Sequence, residues 1–295
     1  MNRKVVLAGG TGFIGNYFKR SFEARGYEVR IISRKPGNIA WSNVHAIAEA
    51  LEGAELLMNL AGKSVNCRYN PSNKDEIVNS RTETTLQLGK ALLLCNNPPP
   101  LWINSSTATI YRHAEDRAMT EEHGEIGTGF SVEVAKAWEN AFFSFTLPKT
   151  RQAALRIAIV LGKDGGVLNP FKNLVAFGLG GAQGPGNQMF SWIHVEDLFR
   201  IVLFIMEHKE LEGIINCASP HPVTNRELMS EMRSVLNKKF GLPSPRWLLE
   251  IGALVIRTET ELLLKSRWVI PERLQRHGFA FQFSHIQGAI QDICK

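Results

Sequence analysis

The feature that most constrains this chain lies at its start: Lys4-Val5-Val6-Leu7-Ala8 runs directly into Gly9-Gly10-Thr11-Gly12-Phe13-Ile14-Gly15. The first run is apolar after its lysine and β-branched at Val5 and Val6, which reads as a buried strand. Ile14, Phe18 and Phe22 then recur at helical spacing with Tyr17 beside them, so a helix is predicted over 13–25, ended by Gly26 in a left-handed cap. A tight turn joins the two, and its glycines at 9, 12 and 15 have separate duties. Gly9 permits the turn off the strand, Gly12 lets the backbone approach a pyrophosphate, and Gly15 lets the helix pack closely on the strand. The helix start adds free N–H groups and a positive dipole end. A glycine triplet alone is common. Set between a strand and a helix, with a second strand predicted over 28–32, it points to a bound dinucleotide.

The residues after that second strand choose among dinucleotides. An NAD fingerprint expects Asp or Glu roughly 20 residues past the glycines, on the ribose 2′-OH. This chain has Ser33-Arg34-Lys35 there. A carboxylate would repel a 2′-phosphate, whereas a guanidinium pairs with it through two parallel hydrogen bonds. NADP(H) is therefore expected in preference to NAD(H), with Arg34 on the 2′-phosphate, Ser33 beside it and Thr11 within the glycine turn.

Further strands are predicted over 55–60, ending in Asn59-Leu60-Ala61-Gly62, over 101–104, leading into Ser105-Ser106-Thr107, and over 153–161. Helices are predicted over 75–95, closed by Asn96-Asn97 and the prolines at 98–100, and over 132–145. Alternation of this kind implies right-handed crossovers and an α/β fold: a Rossmann-like, doubly wound parallel sheet with ligands outside the carboxyl ends of its strands. After Gly162 a group of glycines reads as loops, until a strand over 213–217 returns to the sheet. The organisation expected is a dinucleotide-binding domain over 1–165, regaining strands from about 190–218, and a smaller, mostly helical C-terminal domain over 219–295 for substrate or a partner. Its clearest helix covers 225–236, and the pocket should lie between the two domains.

Composition excludes several other classes. The net charge of +6 comes from 34 basic and 28 acidic residues spread along the chain, without the basic run or reader motif of a nucleic-acid binder. The four cysteines form no CxxC pair and have no histidine at metal-ligand spacing, so reduced thiols and no metal are expected. The apolar stretch at 201–206 falls far short of the roughly 20 residues of a spanning helix. A cytoplasmic protein with a small-molecule partner is expected, with no membrane contact and a homodimer left open.

With Ser105-Ser106-Thr107-Ala108-Thr109-Ile110-Tyr111 the pattern becomes specific. The chain resembles the extended short-chain dehydrogenase/reductases, the superfamily of nucleotide-sugar epimerases and dehydratases. Within it, the chain resembles the epimerase-family branch that carries its own C-terminal domain. Asn59-Leu60-Ala61-Gly62, Asn79-Ser80-Arg81, Trp138-Glu139, Gly178-Leu179-Gly180-Gly181, the run from Ser191 to Asp197, Pro271-Glu272-Arg273-Leu274 and Gly278-Phe279-Ala280-Phe281 carry that resemblance. It implies Gly9, Gly12 and Gly15 on the pyrophosphate, Phe13 and Ile14 lining it, and Leu60, Ala61 and Gly62 along the adenine–ribose side. Thr107 falls on the catalytic hydroxyl and Lys136 on the catalytic lysine. The superfamily's general acid/base, a tyrosine four residues before that lysine, is absent because position 132 is valine. Tyr111, His113 and Cys67 are the substitutes within reach of the motif, Tyr111 first. His194 and Asp197 read as a helix start. The function implied is an NADP(H)-dependent oxidoreductase or epimerase-like enzyme acting on a small polar or nucleotide-linked substrate. The alternative is a catalytically weak NADP(H)-binding sensor or regulatory protein.

Overall fold

A computed structural model describes residues 3–244 and 265–295 of the chain. Strands β1 (Lys4–Ala8), β2 (Glu28–Ile32), β3 (Leu56–Asn59), β4 (Leu101–Thr107) and β5 (Arg151–Ile157) alternate with helices α1 (Phe13–Glu23), α2 (Val44–Leu51), α3 (Pro71–Leu93) and α4 (Phe130–Phe143). They are followed by β6 (Ile159–Gly162), β7 (Gly165–Gly166), α5 (Leu168–Ala176), β8 (Met189–Phe190), β9 (Trp192–His194), α6 (Val195–Glu207), β10 (Gly213–Cys217), β11 (Val223–Thr224) and α7 (Asn225–Val235). Short helices at Glu272–Arg276 and Ile286–Cys294 complete the described chain.

The main sheet has six strands in the order β10-β5-β4-β3-β1-β2, every pairing parallel. Side chains alternate across it with period two. Val5, Leu7, Leu56, Met58, Leu101, Ile103 and Leu155 join Phe18 and Phe22 of α1 and Leu198 to Ile205 of α6 in one core. Val6, Ala8, Leu57, Trp102 and Ala154 face the other way, onto Ile47 and Leu51 of α2, Leu88 and Leu92 of α3 and Phe142 of α4. The chain is thus a Rossmann-like sheet covered on both faces, as the apolar strands require. Strand order reverses at β1, which has β2 on one side and β3 on the other. The loops leaving β1 and β3 part there and open a crevice at the carboxyl ends.

Four elements differ from expectation. The strand predicted over 153–161 breaks at Ala158, whose N–H donates to Cys217 O while Ile159 N–H donates to Ser191 O. The chain there leaves the main sheet, and β6 pairs with β9 in a small second sheet. The glycine-rich stretch predicted as loops contains α5, because Leu168, Phe171 and Val175 recur at helical spacing between the glycines and are buried. The helix predicted from 75 begins one turn earlier, at Pro71, with the Asn70 side chain accepting from Asn73 N–H at 2.8 Å. The eight-residue helix α2 was too short for its periodicity to stand out.

A second core joins α5, α7 and the helix Ile286–Cys294 to Leu161, Phe190 and Trp192 of the small sheets. The far end of the chain also reaches the first core, through Leu274 and Phe279. The Asp197 carboxylate, buried on α6, fixes this arrangement by accepting the N–H groups of Gln282 and Phe283 at 2.8 Å each. Among the described residues no helix is long and apolar enough to cross a membrane.

Candidate functional site

The glycine turn lies at the point where the strand order reverses. Gly9 has φ +76°, and a Cβ there would sit 2.7 Å from the backbone of Ala61, so both conformation and contact demand glycine. A Cβ on Gly15 would meet the backbone of Gly10 at 2.6 Å; helix and turn are in contact there. Gly12 differs, since a Cβ on it would meet nothing within 4 Å. It is the N-cap of α1, and no side chain caps the helix. The first amides of α1 therefore border open space, an arrangement that matches the needs of a phosphate group. Thr11 accepts from the Asn16 side chain through its carbonyl. Phe13 packs its ring on the glycines of the β6–β7 hairpin, where added Cβ atoms at 162 and 165 would approach within 2.6 and 2.8 Å. Ile14 packs on the first core. Both side chains face protein, so what they offer a phosphate is backbone N–H.

At the end of β2 the Ser33 hydroxyl accepts from Lys35 N–H at 3.0 Å and from the Asn38 side chain at 2.9 Å, which shapes a tight turn. Arg34 stands at its tip, exposed, with no hydrogen bond or ion pair among the described residues. No carboxylate occupies the Ser33-Arg34-Lys35 turn.

At the end of β3 the sequence Asn59-Leu60-Ala61-Gly62 turns over a buried amide network. The Asn59 side chain accepts from Ala61 N–H at 3.0 Å and donates to Thr85 Oγ1 at 3.0 Å and Asn104 Oδ1 at 2.6 Å. Trp138 Nε1 donates to the same Thr85 hydroxyl at 3.0 Å, tying α3 to α4. Leu60 N–H donates to Ala8 O at 2.8 Å, fixing the floor of the crevice. A second buried group lies under β4 and β5. Ser106 donates to Glu139 at 2.6 Å, and Glu139 receives Arg156 through two bonds of 2.9 and 2.8 Å. Sequence reasoning placed Leu60 and Ala61 on the cofactor but assigned no role to Asn59, Thr85, Asn104, Ser106, Glu139 or Arg156. Trp138-Glu139 carried a resemblance, but the partners converge from five elements and leave no local pattern.

Thr107 stands at the carboxyl end of β4, half-buried, with its hydroxyl accepting from Thr109 N–H at 3.2 Å. The hydroxyl proton is left for another acceptor. Lys136 lies exposed on α4, 3.2 Å from Glu133 of its own helix. Tyr111 is not brought to solvent. It is 1% exposed, its hydroxyl donates to Asn216 Oδ1 at 2.9 Å, and Arg156 lies over its ring. Burial pushes its phenol up from the ordinary value, which makes it a poorer proton donor. Val132 is fully buried and packs in one cluster with Tyr111, Ala135 and Val269. His113 accepts from Ser266 N–H through Nδ1 at 3.1 Å, and Cys67 sits in the loop that leaves Gly62, its thiol 3.7 Å from Ser64 O.

A groove of about 1160 Å³, lined by Arg3, Glu55, Leu101, Arg151 and Gly213 among others, opens at the amino ends of the strands. It lies at the opposite end of the sheet from every residue described above. The carboxyl-end crevice is the candidate site because the uncapped helix and the required glycines are there. Among the described residues no group of His, Cys, Asp and Glu could hold a metal ion.

Residues 5–136 match the NAD dependent epimerase/dehydratase family, and residues 244–293 match a domain of unknown function, DUF1731. The human epimerase family protein SDR39U1 is 32% identical across 98% of this chain and 99% of its own length. The chloroplastic homologue from Arabidopsis thaliana is 31% identical across 98% of this chain and 86% of its own. A crystal structure of the human protein with NADPH superposes with a TM-score of 0.89, at 31% identity and 98% coverage of both chains.

Proposed function

The chain belongs to the epimerase family proteins related to SDR39U1, within the extended short-chain dehydrogenase/reductases, and from that premise we propose that it is an NADP(H)-dependent oxidoreductase or epimerase-like enzyme for a small polar or nucleotide-linked substrate. The observation that carries this is the glycine cradle: obligatory glycines at 9 and 15 around an uncapped helix start that opens on free space at Gly12. The NADPH in the human relative's structure supports the same assignment. In this reading the α1 amides hold the pyrophosphate, Ser33 and Arg34 take the 2′-phosphate, and Leu60, Ala61 and Gly62 flank the adenine–ribose side. When bound, the dinucleotide supplies the redox chemistry. Thr107 orients the substrate oxygen by donating the hydroxyl proton that Thr109 leaves free. Lys136 supplies the cation that lowers the barrier to proton movement near that oxygen.

A second reading has its own observation. Val132 has no proton to give and Tyr111 spends its hydroxyl on Asn216, so the usual acid/base, worth about 10²–10⁴-fold, has no replacement at either position. On this reading the chain holds NADP(H) as a sensor or regulator and turns over slowly. Cys67 and His113 are the groups through which the enzyme reading would recover a donor. We infer a cytoplasmic location from the scattered cysteines, which form no CxxC pair, and a small molecule as its partner.

One experiment separates the readings. Purified protein is titrated with NADPH and NADH by fluorescence, and the absorbance of the bound NADPH is then followed as carbonyl compounds and sugar nucleotides are added. Oxidation of NADPH by a member of that panel is the expected result. Tight binding without oxidation would favour the sensor, and absence of NADPH binding would exclude both.

A further inference from the structure

The turn that follows β4 is weak as local structure. Ala108–Ile110 is a single 3₁₀ turn, a geometry with poor hydrogen bonds of its own, and Thr107 is its N-cap. The Thr107 hydroxyl is directed by one contact, the N–H of Thr109 that it accepts at 3.2 Å. A shift of residue 109 would carry that amide away and leave the hydroxyl free to turn.

What holds Thr109 comes from the far end of the chain. Arg267 Nε donates to its Oγ1 at 3.2 Å, and Lys265 Nζ donates to its carbonyl at 2.9 Å. The two cations thus grip side chain and main chain at once. Both belong to the matched domain of unknown function. Their own segment is fixed on two sides. On one, Ser266 Oγ donates to Ala114 O at 2.6 Å and Met119 N–H donates to Trp268 O at 2.7 Å. On the other, Arg267 N–H donates to Met189 O at 2.8 Å. The fully buried Ser191 donates its hydroxyl to Arg267 O at 2.7 Å and accepts Val269 N–H at 2.8 Å. Those bonds already join the segment to the rest of the protein. The Nε of the buried Arg267 goes instead to the residue whose amide directs Thr107.

We propose that Arg267 is the positioning residue for the Thr107 hydroxyl, acting through Thr109 with Lys265 beside it, and that this is what the C-terminal domain contributes to the site. The inference rests on the reading of Thr107 as the group that orients the substrate oxygen. With one lone pair committed to Thr109 N–H, the hydroxyl is set before substrate arrives, and the domain that sets it is separate in sequence from the dinucleotide-binding one.

The test reads geometry in the full chain, labelled at its threonine methyl groups. Three-bond couplings give the χ1 rotamer of Thr107, and hydrogen exchange gives the protection of Thr109 N–H. Arg267→Met and Thr109→Val should each average the Thr107 rotamer and speed exchange of that amide by about tenfold, while the amides of β4 keep their rates. The double variant should do no more than either single one, because both remove the same contact. Thr107→Val calibrates the readout by removing the acceptor itself; no change in Thr109 exchange there would overturn the proposal, since the contact would not exist in solution. The proposal also fails if Arg267→Met and Thr109→Val leave Thr107 in one rotamer with the Thr109 amide protected. It fails again if the β4 amides speed up by the same factor, because the contact would then only brace the fold. If Arg267→Met does not fold, Thr109→Val decides the matter, exchanging one hydroxyl for a methyl. None of these measurements uses cofactor or substrate, so a chain that fails to oxidise NADPH sinks the enzyme reading and leaves this test intact.

Discussion

At the scale of single residues, the three glycines of the first turn are not interchangeable. Gly12→Val adds its side chain to open space, so the fold should tolerate it, with Tm moving by a few degrees at most. On the proposed reading that space is the approach path of the pyrophosphate, so NADPH binding should disappear; retention of parent affinity in a fluorescence titration would show that the cofactor lies elsewhere. Gly15→Ala is the contrasting control, because its methyl meets Gly10 backbone at 2.6 Å and must displace α1 or the turn. On the proposed reading Arg34, unpaired among the described residues at the tip of its turn, sets cofactor choice. NADPH should bind more tightly than NADH, and Arg34→Glu should cost about 1.5–3 kcal/mol of NADPH affinity through the lost charge-assisted contact. Competitive titration with the two cofactors checks it, and equal affinities in the parent would rule the assignment out.

At the scale of elements, helix α6 makes two demands on its first turn. His194 is its N-cap, accepting Glu196 N–H through Nδ1 at 3.2 Å, while Nε2 lies 3.4 Å from Asp292 without making a hydrogen bond. Burial lowers its pKa from the ordinary value, against the opposing pull of Asp292, Asp197 and Glu196. The unfolded chain therefore takes up the proton first. Stability from this group is complete above about pH 6.5 and declines as the pH falls below it. Chemical denaturation between neutral and mildly acidic pH should show a shallower decline in His194→Asn than in the parent; identical slopes would refute it. Asp197 acts across elements. Asp197→Ala takes the acceptor from the part-buried amides of Gln282 and Phe283 and should destabilise by about 1–3 kcal/mol, read as a lower urea midpoint. The sequence marked both residues as a helix start, which is half of the truth. The N-cap is a local relation and shows in the spacing. The grip of Asp197 on amides 85 and 86 residues away has no local signature.

At the scale of the molecule, what was legible follows the same division. The first thirty-two residues declare themselves because β1, α1 and β2 each carry their own period and meet at glycines with a stereochemical reason. Tyr111 looked available because it follows Thr107 at a short interval, and only the sheet reveals that β10 brings Asn216 to its hydroxyl. The broken strand at Ala158 belongs here too, since continuity in sequence hid a change of sheet. That change is how the second core comes to be built from segments that precede and follow α6 in the chain.

The clasp between Asp197 and the amides of Gln282 and Phe283 bears on the order in which the protein is made. The crevice is assembled from residues near the amino terminus, which leave the ribosome first. The core beneath it is incomplete until Leu274 and Phe279 arrive, and the clasp cannot form until they have been followed by the next few residues. From the completion of α6 until the residues up to Phe283 are made, the nascent chain thus has its glycine turn on an unfinished support, with Phe204 of α6 still lacking the ring of Phe279. That part of the first core closes only when Leu274 and Phe279 have been delivered.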